Sequence, residues 1–120
     1  MFWGVFMKVA VIGSRNLTIS NLGSYLPKET AELISGGARG IDRCARQHAH
    51  SNNLKFTEFL PEYAKYGRSA PLRRNEQIAD RADLILAFWD GTSRGTKYTV
   101  DYARKAGKQV VSVLLTPEHL

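Results

Sequence analysis

Apolar residues in this chain fall into short continuous runs, separated by stretches in which they recur every three or four positions. The first run, KVAVI at 8–12, ends at Gly13 and reads as a strand buried on both faces. A helical pattern follows around 18–27 and stops near Pro27. AELIS at 31–35 is a second strand, and it runs into the pair Gly36-Gly37. Residues 41–51 have helical spacing, and LKFTEFL at 54–60 alternates as a third strand. Pro71 suits the start of a helix that extends to about Ala82. DLILAF at 83–88 is a fourth buried strand, residues 93–106 form a helix closed by Gly107, and QVVSVLL at 109–115 is a fifth strand.

Strands alternating with helices at this spacing predict an α/β protein: a Rossmann-like three-layer α/β/α sandwich around a mainly parallel five-stranded sheet. A length of 120 residues allows one core and not two, so 7–116 is read as a single domain. Residues 1–6 are an upstream start or a tag remnant, or else Phe2, Trp3 and Phe6 pack as an extra edge or a dimer contact. They are too few for a signal peptide and lack its basic lead-in. No apolar run approaches the ~20 residues of a membrane span, so no membrane partner is expected. With strand order 3-2-1-4-5, a ligand crevice would lie between the first and fourth strands at their carboxyl ends.

Three polar loops would meet there. Gly13-Ser14-Arg15-Asn16 follows the first strand, and its serine and arginine suit hydrogen bonding to an anion, although such a triplet is commonly just a turn. SGGARGID at 35–42 follows the second strand. Gly36 and Gly37 permit a curl of N–H groups, Arg39 adds charge, and the next helix presents its positive end. Asp42 falls in that helix's first turn, either as a structural partner of the dipole or as a contact for a ligand hydroxyl. The third loop, after the fourth strand, contains Asp90, Gly91, Thr92, Ser93, Arg94, Gly95 and Thr96, and is the best phosphate candidate. It fits neither GxGxxG nor a Walker loop, which disfavours dinucleotide binding of the usual kind and nucleoside triphosphatase chemistry. Arg73, Arg74 and Asn75 open a further helix, where arginine suits phosphate or is simply solvated. Tyr63, Tyr66 and Trp89 are core or lid residues, or stack on a base.

Charge strengthens the anion reading without proving it. The net charge of +6 favours nucleotides, phosphosugars or nucleic acid, but the 17 Lys and Arg are spread out and form no electrostatic tail. The single cysteine, Cys44, permits no internal disulfide and suits a reducing, cytoplasmic setting. Cys44, His48 and His50 lack metal-site spacing, so neither a metal nor a cofactor is expected.

GSR at 13–15, SGGARGID at 35–42, RRN at 73–75, AFWDGTSRGT at 87–96 and AGKQV at 106–110 together resemble the SLOG superfamily. That superfamily includes the Lonely Guy phosphoribohydrolases, the DNA-processing protein DprA and YpsA-like proteins. The likeness runs from Lys8 to about Val113 and is nearest to the small YspA/YpsA-related branch. It implies a Rossmann-like domain that binds a nucleotide-derived ligand between these loops. By analogy with Lonely Guy relatives it also implies a homodimer. Lonely Guy enzymes cleave cytokinin nucleotide monophosphates at the N-glycosidic bond through PGGxGTxxE. Gly95 and Thr96 match that motif's GT, while Thr99 stands in place of its glutamate. Asp101 lies about 200° further round the helix and does not substitute, which leaves Asp42 or Asp90 as acid/base candidates and the catalytic residues unknown. SGGARGID is also similar to a stretch of DprA, whose relatives bind single-stranded DNA. The expectation is a ligand-binding domain for a phosphorylated, nucleotide-like molecule, with phosphoribohydrolase activity and nucleic-acid binding as alternatives.

Overall fold

The computed structural model describes residues 6–116. In chain order these form β1 (Met7–Gly13), β2 (Thr30–Ser35), α1 (Ile41–Ser51), β3 (Lys55–Glu58), the single turn α2 (Tyr63–Tyr66), α3 (Ala70–Arg81), β4 (Leu84–Trp89), α4 (Arg94–Lys105) and β5 (Gln109–Leu114). The strands pair in the order β3-β2-β1-β4-β5, and every neighbouring pair is parallel. This is the Rossmann-like α/β arrangement that the alternation predicted, with no antiparallel strand among the described residues.

Alternate residues of each central strand feed two separate cores. Val9, Val11, Leu33, Leu84, Leu86 and Phe88 pack beneath α1 through its Ile41, Ala45 and Ala49. Ala10, Ile12, Ile34, Ile85 and Ala87 face α3 and α4 through Ile78, Ala79, Ala82, Val100 and Ala103. Small residues on the helices let them lie close to the sheet. β1 and β4 are covered on both faces, which is why their sequences are continuously apolar.

The helix expected over 18–27 is not formed. Only Leu22–Tyr25 turns, as a 3-10 segment, and the rest of the β1–β2 connection runs irregularly over the α1 face. Leu17 and Leu22 are its buried anchors, five residues apart, a spacing that does not repeat on one helical face. Ser20, Asn21 and Ser24 compete for backbone hydrogen bonds: Ser24 Oγ donates to the Asn21 carbonyl at 2.7 Å. A side chain at Gly23 would begin 2.9 Å from the His48 ring, so the turn lies flat against α1. The third strand is also shorter than its alternation suggested, because beyond Glu58 the chain leaves the sheet edge. Of the aromatic N-terminal residues, Phe2 and Trp3 lie outside the described residues, and Phe6 is 77% exposed.

The register brings the carboxyl ends of the central strands level. Gly13 pairs with Phe88, and Ser14 N donates to the Phe88 carbonyl at 3.1 Å. Ser35 Oγ donates to the Val11 carbonyl at 2.8 Å, tying β2 to β1 just below their ends. The loops after β1, β2 and β4 therefore emerge side by side, at the point where chain direction across the sheet reverses.

Candidate functional site

A crevice of about 400 Å³ opens at that point, between the ends of β1, β2 and β4 and the first turns of α1, α3 and α4. Seven buried residues among those described are polar or charged, and five of them line this crevice: Ser14, Asp42, Arg74, Thr96 and Thr99. Buried polar side chains are costly without partners, so their concentration at one place marks it as the candidate site.

Arg74 is its centre. It lies on the apolar stripe of α3, spaced by helical turns from Ala70 and Ile78, and is only 9% exposed. Its Nη1 donates to the Gly36 carbonyl at 2.6 Å and to the Phe59 carbonyl at 3.5 Å, and its Nε donates to Asn75 Oδ1 at 2.8 Å. Those bonds engage Nε and Nη1 and fix the guanidinium plane, and no described residue hydrogen-bonds Nη2. No carboxylate among the described residues forms a salt bridge with it, although Asp42 is near enough to favour its charge. Burial pulls its pKa down, with Asp42 opposing and Arg15 adding repulsion. An arginine remains charged under such a shift, so the site holds a desolvated positive charge.

The β2–α1 loop packs around that guanidinium. A Cβ on Gly36 would come within 2.9 Å of Arg74 Nη1 and 3.2 Å of Asp42 Oδ2, so glycine is required there by close approach. Asp42 Oδ2 accepts from Ala38 N at 3.0 Å, drawing the loop over the helix start. Burial raises the Asp42 pKa, and the hydrogen bonds from the loop and Ser35 together with the Arg74 charge offset this only in part. Gly40 has φ +71°, and a side chain on it would begin 2.6 Å from the carbonyl oxygens of Arg15 and Leu17. That contact locks the β1 and β2 loops together.

The third wall is the β4–α4 loop. Asp90 Oδ1 accepts from Thr92 N at 2.9 Å and Ser93 N at 2.8 Å. Those two backbone bonds hold its pKa down to about 2. Trp89 Nε1 donates to the Ser93 carbonyl at 2.9 Å, and Asp90 N donates to Ser14 Oγ at 3.2 Å. The loop is thus pre-shaped, and Trp89 serves to close it. Ser93 caps α4 by accepting from Thr96 N, which leaves the Arg94 and Gly95 amides without a helical acceptor. Gly95 faces Asn75 across the crevice, with 3.9 Å between Asn75 Nδ2 and the place of an absent Cβ. Because Asn75 Oδ1 is occupied by Arg74, its amide nitrogen is the group turned to α4. Arg74, Asn75 and the α4 N-terminus accordingly converge as donors on one volume.

Of the residues singled out in the sequence, Gly13, Ser14, Arg15, Gly36, Asp42, Arg74, Asn75, Asp90, Ser93, Gly95 and Thr96 line the crevice. Gly37, Arg39 and Gly91 are exposed beside it and do not. Gly37 is there for its backbone, whose φ of +78° lies in the left-handed region. Arg73 is turned away and paired with Glu76 at 2.8 Å, and Arg94 is exposed outside the lining. Tyr63 is exposed on α2. Asn16 and Ala38 also line it, from within the loops the sequence named, while Pro71, Leu72 and the apolar floor of Ile12 and Ile78 were missed. Helical phase from Arg74 would have found Ile78. Thr99 is buried in the lining, and its Oγ1 donates to the Gly95 carbonyl at 2.8 Å.

Cys44 Sγ accepts from Ile19 N at 3.4 Å, and no group of three metal-ligating side chains gathers among the described residues. No described helix is long and apolar enough to cross a membrane.

Fold and crevice together define a Rossmann-like α/β protein with a polar, arginine-centred cleft at the switch point of its sheet. The chain is 34% identical over 86 residues to the Gene 61 protein of Mycobacterium phage D29, covering 67% of this chain and 69% of that protein. It belongs to the family of that phage protein. No protein-family model matches the chain, and no solved structure matches it.

Proposed function

We propose that the crevice binds the phosphate of a nucleotide-derived small molecule, with the phosphate seated between Arg74 and the N-terminus of α4. The observation that carries this reading is the nine-tenths-buried Arg74, positioned by backbone carbonyls and left with a free guanidinium edge beside a helix N-terminus. A buried, fork-shaped cation with no bidentate carboxylate partner among the described residues suits an incoming oxyanion. Asn75 Nδ2 and the Gly95 amide supply further donors, and Arg15 at the rim adds charge. The resemblance to the SLOG superfamily supports the same ligand class.

Isothermal titration with nucleoside monophosphates, ADP-ribose and related dinucleotides tests it. Arg74→Ala abolishes binding of the best ligand. Because Arg74 also braces the Gly36 carbonyl, Gly95→Asp is the companion variant. It adds an acidic residue at a helix start, where the fold tolerates it, and opposes an anion. Unchanged affinity in Gly95→Asp overturns the site. An oligonucleotide that binds more tightly than the mononucleotide, with affinity falling steeply in salt, would instead favour nucleic acid.

Asp42 favours a second reading, phosphoribohydrolase activity. Asp90 is held ionised by its loop, whereas Asp42 faces the crevice with a pKa shifted toward neutrality, as acid/base groups require. Chromatography of nucleoside monophosphates incubated with the protein would then show free base, lost in Asp42→Asn. No release above buffer across a broad panel refutes it.

A further inference from the structure

A second cavity, of about 450 Å³, lies behind the turn that closes the β1 loop. The turn is fixed by the bond from Leu17 N to the Ser14 carbonyl at 3.3 Å. Gly13 to Asn16 face the crevice, Asn16 to Asn21 face the second cavity, and Asn16 borders both. The turn is therefore a low wall between two adjoining compartments.

Their chemistries differ. The crevice contains Arg15, Arg74, Asp42 and Asp90. Among the described residues the second cavity has no charged residue in its lining, which is made of amides, hydroxyls, apolar side chains and the ring of Tyr25. It lies along the irregular β1–β2 connection, where Ile19 packs against the core while Thr18, Ser20 and Asn21 are exposed. Tyr25 is held edge-to-face against Phe88, with ring centroids 5.1 Å apart, and is partly exposed toward the hollow. Asn16, Thr18, Ser20 and Asn21 offer both donors and acceptors, as a heterocycle with mixed polar edges needs. An aromatic beside short hydrogen-bonding side chains suits an uncharged planar ring.

We propose that this second cavity holds the uncharged ring system of the ligand whose phosphate occupies the crevice, so that the ligand bridges the Ser14–Leu17 turn. The proposal rests on the phosphate reading above and adds the site that selects among phosphorylated molecules. It assigns a role to the exposed polar residues of the β1–β2 connection.

Titration with inorganic phosphate, ribose 5-phosphate, a nucleoside monophosphate and ADP-ribose separates the two claims. The base-bearing ligands bind roughly tenfold or more tightly than ribose 5-phosphate. Thr18→Trp, at an exposed position, fills the cavity without disturbing the core and reduces the base-bearing ligands to the affinity of ribose 5-phosphate. Its affinity for ribose 5-phosphate stays unchanged. Tyr25→Ala has the same selective effect, with its circular dichroism melt recorded because Tyr25 also packs on Phe88. Equal affinity for ribose 5-phosphate and the nucleotides, or nucleotide affinity unmoved by Thr18→Trp, overturns the second cavity and leaves the phosphate site standing. Phosphate-bearing ligands that bind as well to Arg74→Ala as to the unaltered protein, or not at all to either, overturn both.

Discussion

Replacing Gly95 with alanine should make the protein more stable and a poorer ligand binder. Gly95 is the second residue of α4, and its φ is not in the left-handed region. The nearest heavy atom to an added Cβ is Asn75 Nδ2 at 3.9 Å, ordinary van der Waals contact, so the methyl group meets no clash. Alanine in a helix is favoured over glycine by about 0.5–1 kcal/mol, since the unfolded chain loses less freedom on folding. At about 2.1 cal/mol/K of unfolding entropy per residue, a 120-residue chain gains about 2–4 °C in Tm from that increment. The same methyl group is directed toward the helix N-terminus, as every helical Cα–Cβ bond is. It enters the space in front of the free amides, between them and Asn75. Loss of one hydrogen bond to a charged group costs about 1.5–3 kcal/mol, roughly 10- to 150-fold in affinity. Differential scanning calorimetry and isothermal titration with the best phosphate-bearing ligand read the two effects. A lower Tm would refute the steric account of position 95. A raised Tm with unaltered affinity would refute the placement of the phosphate at α4.

Gly40→Ala should be severely destabilising, because φ +71° is left-handed backbone and the added Cβ would meet two carbonyl oxygens at 2.6 Å. A loss of about 2–4 kcal/mol in urea unfolding is expected, and a loss under 1 kcal/mol would contradict the locking of the two loops. Asp90, lowered from 3.8 to about 2, contributes stability that is complete above its unfolded value and is lost as pH falls toward 2. The stability difference between the protein and Asp90→Asn should therefore hold steady above about pH 5 and narrow below pH 4; a difference that stays flat down to pH 2 would refute the turn's hold on the carboxylate. Asp42 has the opposite sign. Its folded pKa is raised above 3.8, so the folded state keeps the proton longer and stability declines as pH rises from that value through the raised one. Asp42→Asn removes that part of the slope in denaturation series across pH 3 to 7; an unchanged slope would show that burial does not govern the group.

Much of the sheet was legible because each central strand is covered on both faces and so must be continuously apolar. KVAVI and DLILAF could be little else in a chain of this length. The α1 span 41–51 was legible at both ends, from the glycine-rich entry and the apolar spacing of Ile41, Ala45 and Ala49. The 18–27 segment misled because Ile19, Leu22 and Leu26 recur at helical spacing and all pack on the core, while polar residues such as Ser24 bond the local backbone instead. The crevice residues were legible as loop chemistry. Adjacent Arg73 and Arg74 could not be separated without knowing which side of α3 faces the sheet.

By itself the sequence determined the alternation of strands and helices, the parallel sheet, and the three polar loops that end its central strands. Those follow from local rules: which residues tolerate burial on both faces, and where glycine lets the chain turn. Tertiary structure alone decided that Arg74 is buried while Arg73 pairs with Glu76, that Gly37 and Arg39 stand outside the crevice, and that a second compartment lies behind the β1 turn. Each depends on which surfaces meet after folding, through contacts between residues such as Gly36 and Arg74 that are 38 positions apart.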